Sequence, residues 1–286
     1  MLASFRYVKP ETLEAALDLL DAHGQEARVL AGGTDLLVLF RRDAVHPSWV
    51  VDIKGLPASR DLSFTPDLGL SIGPAVTVNQ LAESPEVRDR YRALAQAAGM
   101  LASYQVRNRA TVVGNMCNAS PGADLSAPLL VFETQVQIAS KQGSRAVPLA
   151  EFFTGVKRTS LIPGELVTGL TLAPAAPGER STYLKQARLK GHDLGIVGLA
   201  ARVDGAGKFR LAMAAVAPTP IRLHAVENLL NSQAWSEDLA AQAAELARQE
   251  IKPISDTRAS AEYRLHVTGV LVRRALSRLM GGKQDE

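Results

Sequence analysis

Apolar residues recur at helical spacing at Leu13, Ala16, Leu17 and Leu20, which predicts a helix capped by Thr12 and stopped at Gly24. The next apolar run, residues 27–31, is short and continuous, as in a buried strand. It breaks at Gly32-Gly33-Thr34-Asp35 and passes directly into Leu36-Leu37-Val38-Leu39-Phe40, where a second helix is expected. Residues 49–53 and 68–72 read as strands, with turn material over 55–67 between them. Residues 77–84 read as a capped helical turn. Residues 85–100 read as one helix whose Leu94, Ala97, Ala98 and Leu101 face inward. Alternation at Val136-Gln137-Ile138-Ala139 predicts a half-exposed strand, residues 145–153 a strand and turn, and residues 166–172 a further strand.

Residues 173–178, rich in Pro, Ala and Gly, form the best boundary in the chain. Beyond them the pattern changes. Three strand-like runs, 181–187, 194–203 and 209–216, precede a rigid Pro218-Thr219-Pro220 turn and three helical stretches, 224–230, 236–249 and 257–280. An antiparallel sheet covered by helices fits that order. Residues 281–286 are expected to be a disordered tail.

One stretch breaks these periodicities. Residues 109–124 enter through Val112-Val113, a β-branched pair expected to be a short strand, and break at Gly114-Asn115. They then run through Cys117, Asn118, Ala119, Ser120, Pro121 and Gly122 to Asp124. So many small residues between apolar flanks suit a flat ligand lying close to the backbone, because small side chains let main-chain amides approach it. Gly32-Gly33-Thr34-Asp35, between strand and helix, makes a second amide-lined concavity suited to phosphate. It is neither a G-x-G-x-x-G fingerprint nor a P-loop.

Composition narrows the classes. The 286 residues carry a formal net charge of +3 with acids interleaved among the basic residues, which disfavours nucleic acid as a partner. Cys117 is the single cysteine, so no disulfide and no thiolate cluster can be completed within the chain. No stretch is long and apolar enough for a membrane span, and no secretory signal pattern opens the chain; the expected location is the cytoplasm.

Taken in order, Ala31-Gly32-Gly33-Thr34-Asp35, Thr111-Val112-Val113-Gly114-Asn115, Ala119-Ser120-Pro121 with Asp124, and Tyr183-Leu184-Lys185-Gln186-Ala187-Arg188 with Asp193 resemble the FAD-binding medium subunit of the molybdenum hydroxylases, the family of carbon monoxide and xanthine dehydrogenases. The resemblance covers essentially the whole chain. It implies an α+β fold: a two-part FAD-binding domain of the PCMH or vanillyl-alcohol-oxidase-like type over residues 1–175, with subdomains about 1–56 and 57–175. A C-terminal domain of the CO dehydrogenase flavoprotein type would follow over 176–286.

By the same resemblance, Val29, Leu30, Ala31, Gly32, Gly33, Thr34, Asp35 and Leu36 would wrap the FAD pyrophosphate. Thr111, Val113, Gly114 and Asn115 would form the facing half of the cradle. Asp124 would bond the ribose or pyrophosphate side, Cys117 and Asn118 would lie near the isoalloxazine, and Leu101 would pack on the cofactor. Val167 would lie near the adenine, and Lys185 would reach the flavin, where a cation stabilises the anionic reduced form. The implied role is electron transfer from [2Fe–2S] clusters of a small subunit, fed by a large molybdopterin subunit, through FAD to an external acceptor. The implied assembly is a dimer of heterotrimers.

The second glycine loop departs from the family pattern, since Val113 stands where a glycine is usual. The strand is therefore expected to persist one residue longer, with only Gly114 approaching phosphate. Relatives that reduce benzoyl-CoA insert a cysteine-bearing segment for another cluster, which a single cysteine excludes here. Cys117 is better read as a small apolar residue than as a reactive thiol, and His192 as a turn residue. Asp193 is read as a partner of Arg188 or Lys185, and Trp49 and Trp235 as packing. Two other readings are a self-contained flavin oxidoreductase on a related fold and a non-catalytic module for another nucleotide.

Overall fold

Thr12 caps the first helix as its side chain dictates: its hydroxyl accepts from the Ala15 amide at 3.2 Å, and the helix ends at Gly24 with φ +46°. The computed structural model describes residues 4–175, 179–189 and 191–281. The end of the expected linker, residues 176–178, and residues 282–286 of the expected tail lie outside the described residues. The first layer is a parallel three-stranded sheet ordered β1-β3-β2, made of β1 (Arg6–Val8), β2 (Ala27–Leu30) and β3 (Trp49–Asp52). Helix α1 (Leu13–His23) buries Ala16, Leu17 and Leu20 against it. Helix α2 (Leu36–Arg41) leaves the glycine loop directly, as the apolar run requires.

The second layer begins with β4 (Leu62–Thr65) and β5 (Gly69–Ile72), followed by α3 (Val78–Glu83), α4 (Pro85–Arg90), α5 (Arg92–Met100), α6 (Tyr104–Arg107), α7 (Val112–Cys117) and α8 (Ser126–Val131). Strands β6 (Gln135–Ser140) and β7 (Gly143–Pro148), helix α9 (Leu149–Phe152), and strands β8 (Phe153–Gly155), β9 (Arg158–Thr159) and β10 (Leu166–Leu172) complete it. Its main sheet runs β4-β5-β10-β6-β7, antiparallel throughout. The helices close over it around Leu70, Ile72, Leu94, Phe132 and Leu170, all buried.

Three sequence expectations fail here. Residues 55–67 are not all turn: Leu62-Ser63-Phe64-Thr65 pairs with β5 as an edge strand. The single helix over 85–100 is two, broken at Tyr91, whose φ −119° and ψ 49° leave helical geometry. That break buries the phenol between Phe64 and Phe132 and lets its hydroxyl donate to Ala173 O at 2.8 Å. Val112-Val113 is not a strand but the first turn of α7. Thr111 caps it, accepting from the Gly114 amide at 3.1 Å, and the Val112 amide donates to Val76 O at 3.1 Å. A cap that satisfies the first-turn amides outweighs the strand preference of two β-branched residues.

The C-terminal layer is an antiparallel sheet in the order β11 (Arg180–Gln186), β12 (Val197–Val203), β13 (Phe209–Ala214), β14 (Ile221–Arg222). Helices α10 (His224–Ser232), α11 (Glu237–Glu250) and α12 (Ala261–Leu279) cover one face. The other face presents Tyr183, Ala200, Ala212 and Ala214 to the core of the second layer. Covered on both sides, β12 is buried at every position and is apolar in sequence except at Arg202, whose guanidinium is paired with Glu179 at 2.7 Å. No helix among the described residues is long and apolar enough to cross a membrane.

Candidate cofactor-binding site

Between the loop that follows β2 and the first turn of α7 lies a cleft of about 310 Å³. Val29, Ala31, Gly32, Gly33, Thr34, Asp35 and Leu36 form one wall. Thr111, Val113, Gly114, Asn115, Cys117 and Asn118 form the other, and Val167 on β10 closes the end. Leu30 lies just behind the wall, its Cδ1 about 3.0 Å from where a Cβ on Gly33 would stand. The two walls meet backbone to backbone. A Cβ on Gly32 would stand 2.1 Å from Arg109 O, so only glycine fits, and Gly33 turns the loop with φ +75°.

That close approach leaves main-chain donors unspent. Among the described residues, the amides of Gly32, Gly33, Thr34, Asp35 and Val113 donate no hydrogen bond, although each borders the cleft. Five undonated amides at one cavity form an anion cradle, and they suit the oxygens of a pyrophosphate. The Asn115 Oδ1 atom is buried without a partner, a carbonyl that lacks a donor from outside the chain. The rest of the lining is mostly apolar, with Leu39, Ile53, Pro74 and Leu161 among its residues, which suits a flat ring system, and it includes the charged Arg28 and Glu165.

The mouth is held by side chains. Asn118 Nδ2 donates to Asp35 Oδ1 at 2.8 Å and so ties α7 to the glycine loop, while Lys157 Nζ donates to Asn118 Oδ1 at 2.9 Å. Lys157 carries no motif in the sequence; it reaches the site from the β8–β9 turn, where it adopts φ +58°. Desolvation pushes the Cys117 thiol up to about 12, which makes it a packing group and not a nucleophile.

Leu101, Asp124 and Lys185 do not line this cleft. Asp124 and Lys185 belong to a second cluster at the junction of the two halves. Lys185 Nζ donates to Asp124 Oδ2 at 2.9 Å and to Met100 O at 3.4 Å, and Tyr183 OH donates to Asp124 Oδ1 at 2.8 Å. Leu101, at the end of α5 beside Met100, is buried. Burial raises the Asp124 carboxyl above the usual carboxylate range, although Lys185 and Tyr183 both work to lower it. Burial, reinforced by Asp124, raises the Tyr183 phenol well above its ordinary value.

Tyr183 was not among the expected site residues. Its position two residues before Lys185, on the same face of one strand, is the signal that could have found it. Gly198 on β12 makes room for it, since a Cβ there would stand 2.7 Å from the phenol oxygen. Asp193 pairs with Arg188 at 3.4 Å and not with Lys185, and its carboxylate also accepts from the amides of Arg188, Leu189 and Leu194. His192 is exposed in the same turn. Trp49 stacks on His23 and Trp235 on Phe209. No group of His, Cys, Asp and Glu among the described residues could hold a metal ion.

With this geometry in hand, the comparisons with known proteins are specific. The family model described as the FAD binding domain in molybdopterin dehydrogenase matches residues 3–174, and that of the CO dehydrogenase flavoprotein C-terminal domain matches residues 182–279. The chain is similar to the xanthine dehydrogenase FAD-binding subunit of Escherichia coli O157:H7, at 35% identity over 97% of each chain. It is also similar to the 6-hydroxypseudooxynicotine dehydrogenase complex subunit alpha of Paenarthrobacter nicotinovorans, at 32% identity over 97% of this chain and 95% of that one. Among solved structures it superposes on a chain of the carbon monoxide dehydrogenase of Hydrogenophaga pseudoflava with a TM-score of 0.93 and 31% identity, covering 98% of this chain and 99% of the other.

Proposed function

The chain belongs to the FAD-binding medium subunits of the molybdenum hydroxylases, and from that premise we propose how its residues carry the flavin. The amides of Gly32, Gly33, Thr34, Asp35 and Val113 hold the pyrophosphate, with Val29, Leu30, Ala31 and Leu36 shaping the loop behind them. Thr111 and Gly114 set the start of α7 so that Val113 faces the cradle, and Asn115 Oδ1 accepts a hydroxyl of the cofactor. Val167 packs near the adenine. Cys117 and Asn118 flank the isoalloxazine.

FAD, with two ring systems and a pyrophosphate, is too large for a cleft of about 310 Å³ to enclose. Its flavin end therefore extends towards the junction cluster, where Leu101 packs on it and the Lys185–Asp124 pair fixes the C-terminal sheet beside it. Bound there, FAD supplies two-electron storage between one-electron clusters and an external acceptor. The chain's own part is to bind, to orient and to keep water from the rings. The strip of undonated amides, walled so closely that Gly32 admits no Cβ, is the observation that carries this reading.

On the same reading, residues 1–175 form the FAD-binding domain, with subdomains about 1–56 and 57–175, and residues 176–286 form the C-terminal domain. The partners are a large molybdopterin subunit and a small subunit with [2Fe–2S] clusters, assembled as a dimer of heterotrimers in the cytoplasm.

The test is an absorption spectrum of the purified chain, with and without added FAD, followed by heat release and identification of the cofactor. Flavin bands with FAD in the supernatant are expected. A chain that stays colourless after reconstitution overturns the assignment.

A further inference from the structure

Away from the flavin cleft, α11 and α12 lie side by side on the outer face of the C-terminal sheet. Their close approach follows from small residues: a Cβ on Gly269 would stand 3.2 Å from Arg248 Cδ and 3.6 Å from Ala244 O. On the solvent side this leaves a groove of about 500 Å³ that shares no residue with the cofactor cleft. Along α12 it is bordered from His266 to Arg278, and along α11 from Glu237 to Arg248. At 1.5 Å per residue that is a trough roughly 16–18 Å long.

Its charge is lopsided. Arg248, Arg273, Arg274 and Arg278 border it against two glutamates, and one of those, Glu245, is already paired with Arg248 at 2.9 Å. Among the described residues, Arg273, Arg274 and Arg278 have no carboxylate partner. The opposite face of α12, with Leu271, Val272, Ala275, Leu276 and Leu279, is buried in the core. An exposed amphipathic helix ordinarily mixes signs on its polar face. Here Arg274 and Arg278 stand one turn apart, a spacing at which like charges weaken a helix.

We propose that the groove between α11 and α12 docks an acidic segment of a partner protein. Guanidinium groups pair bidentately with carboxylates, and the small floor of Ala244 and Gly269 gives depth for a segment to lie between the helices. The length decides between ligands of one charge. A single phosphate fills only a small part of such a trough, whereas a helix of about three turns spans it.

The test uses the full chain and a fluorescein-labelled Glu-rich helical peptide of about twelve residues. The control is the same peptide with each Glu replaced by Gln, and binding is read by fluorescence anisotropy. The acidic peptide is expected to bind, more weakly as salt rises, and the Gln peptide not to bind. Arg273→Glu with Arg274→Glu is expected to lower affinity for the acidic peptide at least about tenfold and to create binding of a Lys-rich counterpart. Both positions are exposed, so circular dichroism and flavin content stay unchanged. Equal binding of the Gln peptide, or affinity unmoved by the double substitution, overturns the proposal. So does full displacement by inorganic pyrophosphate at equal concentration, which would mark a compact anion site.

Discussion

Lys185 Nζ and Asp124 Oδ2 stand 2.9 Å apart, with side chains only 6% and 8% exposed, and they join β11 of the C-terminal sheet to the small-residue loop that follows α7. Withdrawing two charges from water costs more than a well-placed pair readily returns, and the raised Asp124 carboxyl shows that cost. The pair therefore fixes geometry more than it adds stability. Asp124→Asn leaves a buried ammonium without a counter-charge and is expected to destabilise the chain by about 3 kcal/mol in urea unfolding. Adding Lys185→Met is expected to restore most of the loss. A double variant no more stable than the single one would contradict the pairing.

Gly32 and Gly99 make a contrast within one molecule. Gly32→Ala drives a methyl into Arg109 O and is expected to abolish most FAD binding, read as the ratio of flavin to protein absorbance. Gly99 lies exposed on α5 with nothing within 4 Å of an added Cβ. Gly99→Ala is expected to keep full flavin content and to gain roughly 0.5–1 kcal/mol from reduced backbone entropy. Flavin content equal in both variants would remove the cradle from the glycine loop.

Cys117 is expected to be inert while the chain is folded. With its thiol pushed up to about 12, only about one molecule in ten thousand carries a thiolate at pH 8. Iodoacetamide should leave the native chain unlabelled by mass spectrometry and label it fully in denaturant. Rapid labelling of the native chain would mean that reagent reaches a reactive sulfur through the cleft that Cys117 lines.

What the sequence disclosed of the site was its backbone. A run such as Gly114-Asn115 to Asp124 with almost no bulk is visible as an interruption of periodicity, and so is Gly32-Gly33 between a strand and a helix. The apolar wall of Leu39, Ile53 and Leu161 was not legible, because a hydrophobic residue that faces a cleft reads like one that faces a core. Lys157 was hidden for a different reason: it depends on a two-strand ribbon whose turn brings it to Asn118. The fold was legible wherever one local preference decided, as at Thr12 and Gly24. It was misread where a tertiary contact won, as where Tyr91 leaves the helix to reach Ala173.

Asp256 predicts a pH dependence outside the flavin site. Burial works to raise its carboxyl, but the Arg258 amide and guanidinium, the Ala259 amide and Arg264 together hold it well below the usual carboxylate range. The folded chain thus binds this proton less readily than the unfolded chain does. The resulting stability is complete above about pH 4 and is lost as pH falls towards the depressed folded value. Asp256→Asn is expected to cost about 2 kcal/mol at neutral pH, since Arg264 then loses its carboxylate partner at 2.8 Å. The gap between variant and parent is expected to close in acid; a gap constant from pH 7 to about pH 2 would exclude Asp256 as its source.

Asn115 separates binding from folding. Its Oδ1 is buried with no donor, a position that costs a folded chain about 1–3 kcal/mol when nothing fills it. Such a cost persists where a ligand relieves it. Asn115→Ala removes the orphaned carbonyl, so the flavin-free chain is expected to be as stable as the parent or up to about 1 kcal/mol more stable. On the proposed assignment of Asn115 as an acceptor for the cofactor, FAD affinity is expected to fall at least about tenfold. Calorimetry of the flavin-free chains and FAD titration of both, side by side, give the two quantities. Stability and affinity falling together would make Asn115 a structural residue of α7; stability held while affinity falls makes it part of the cradle.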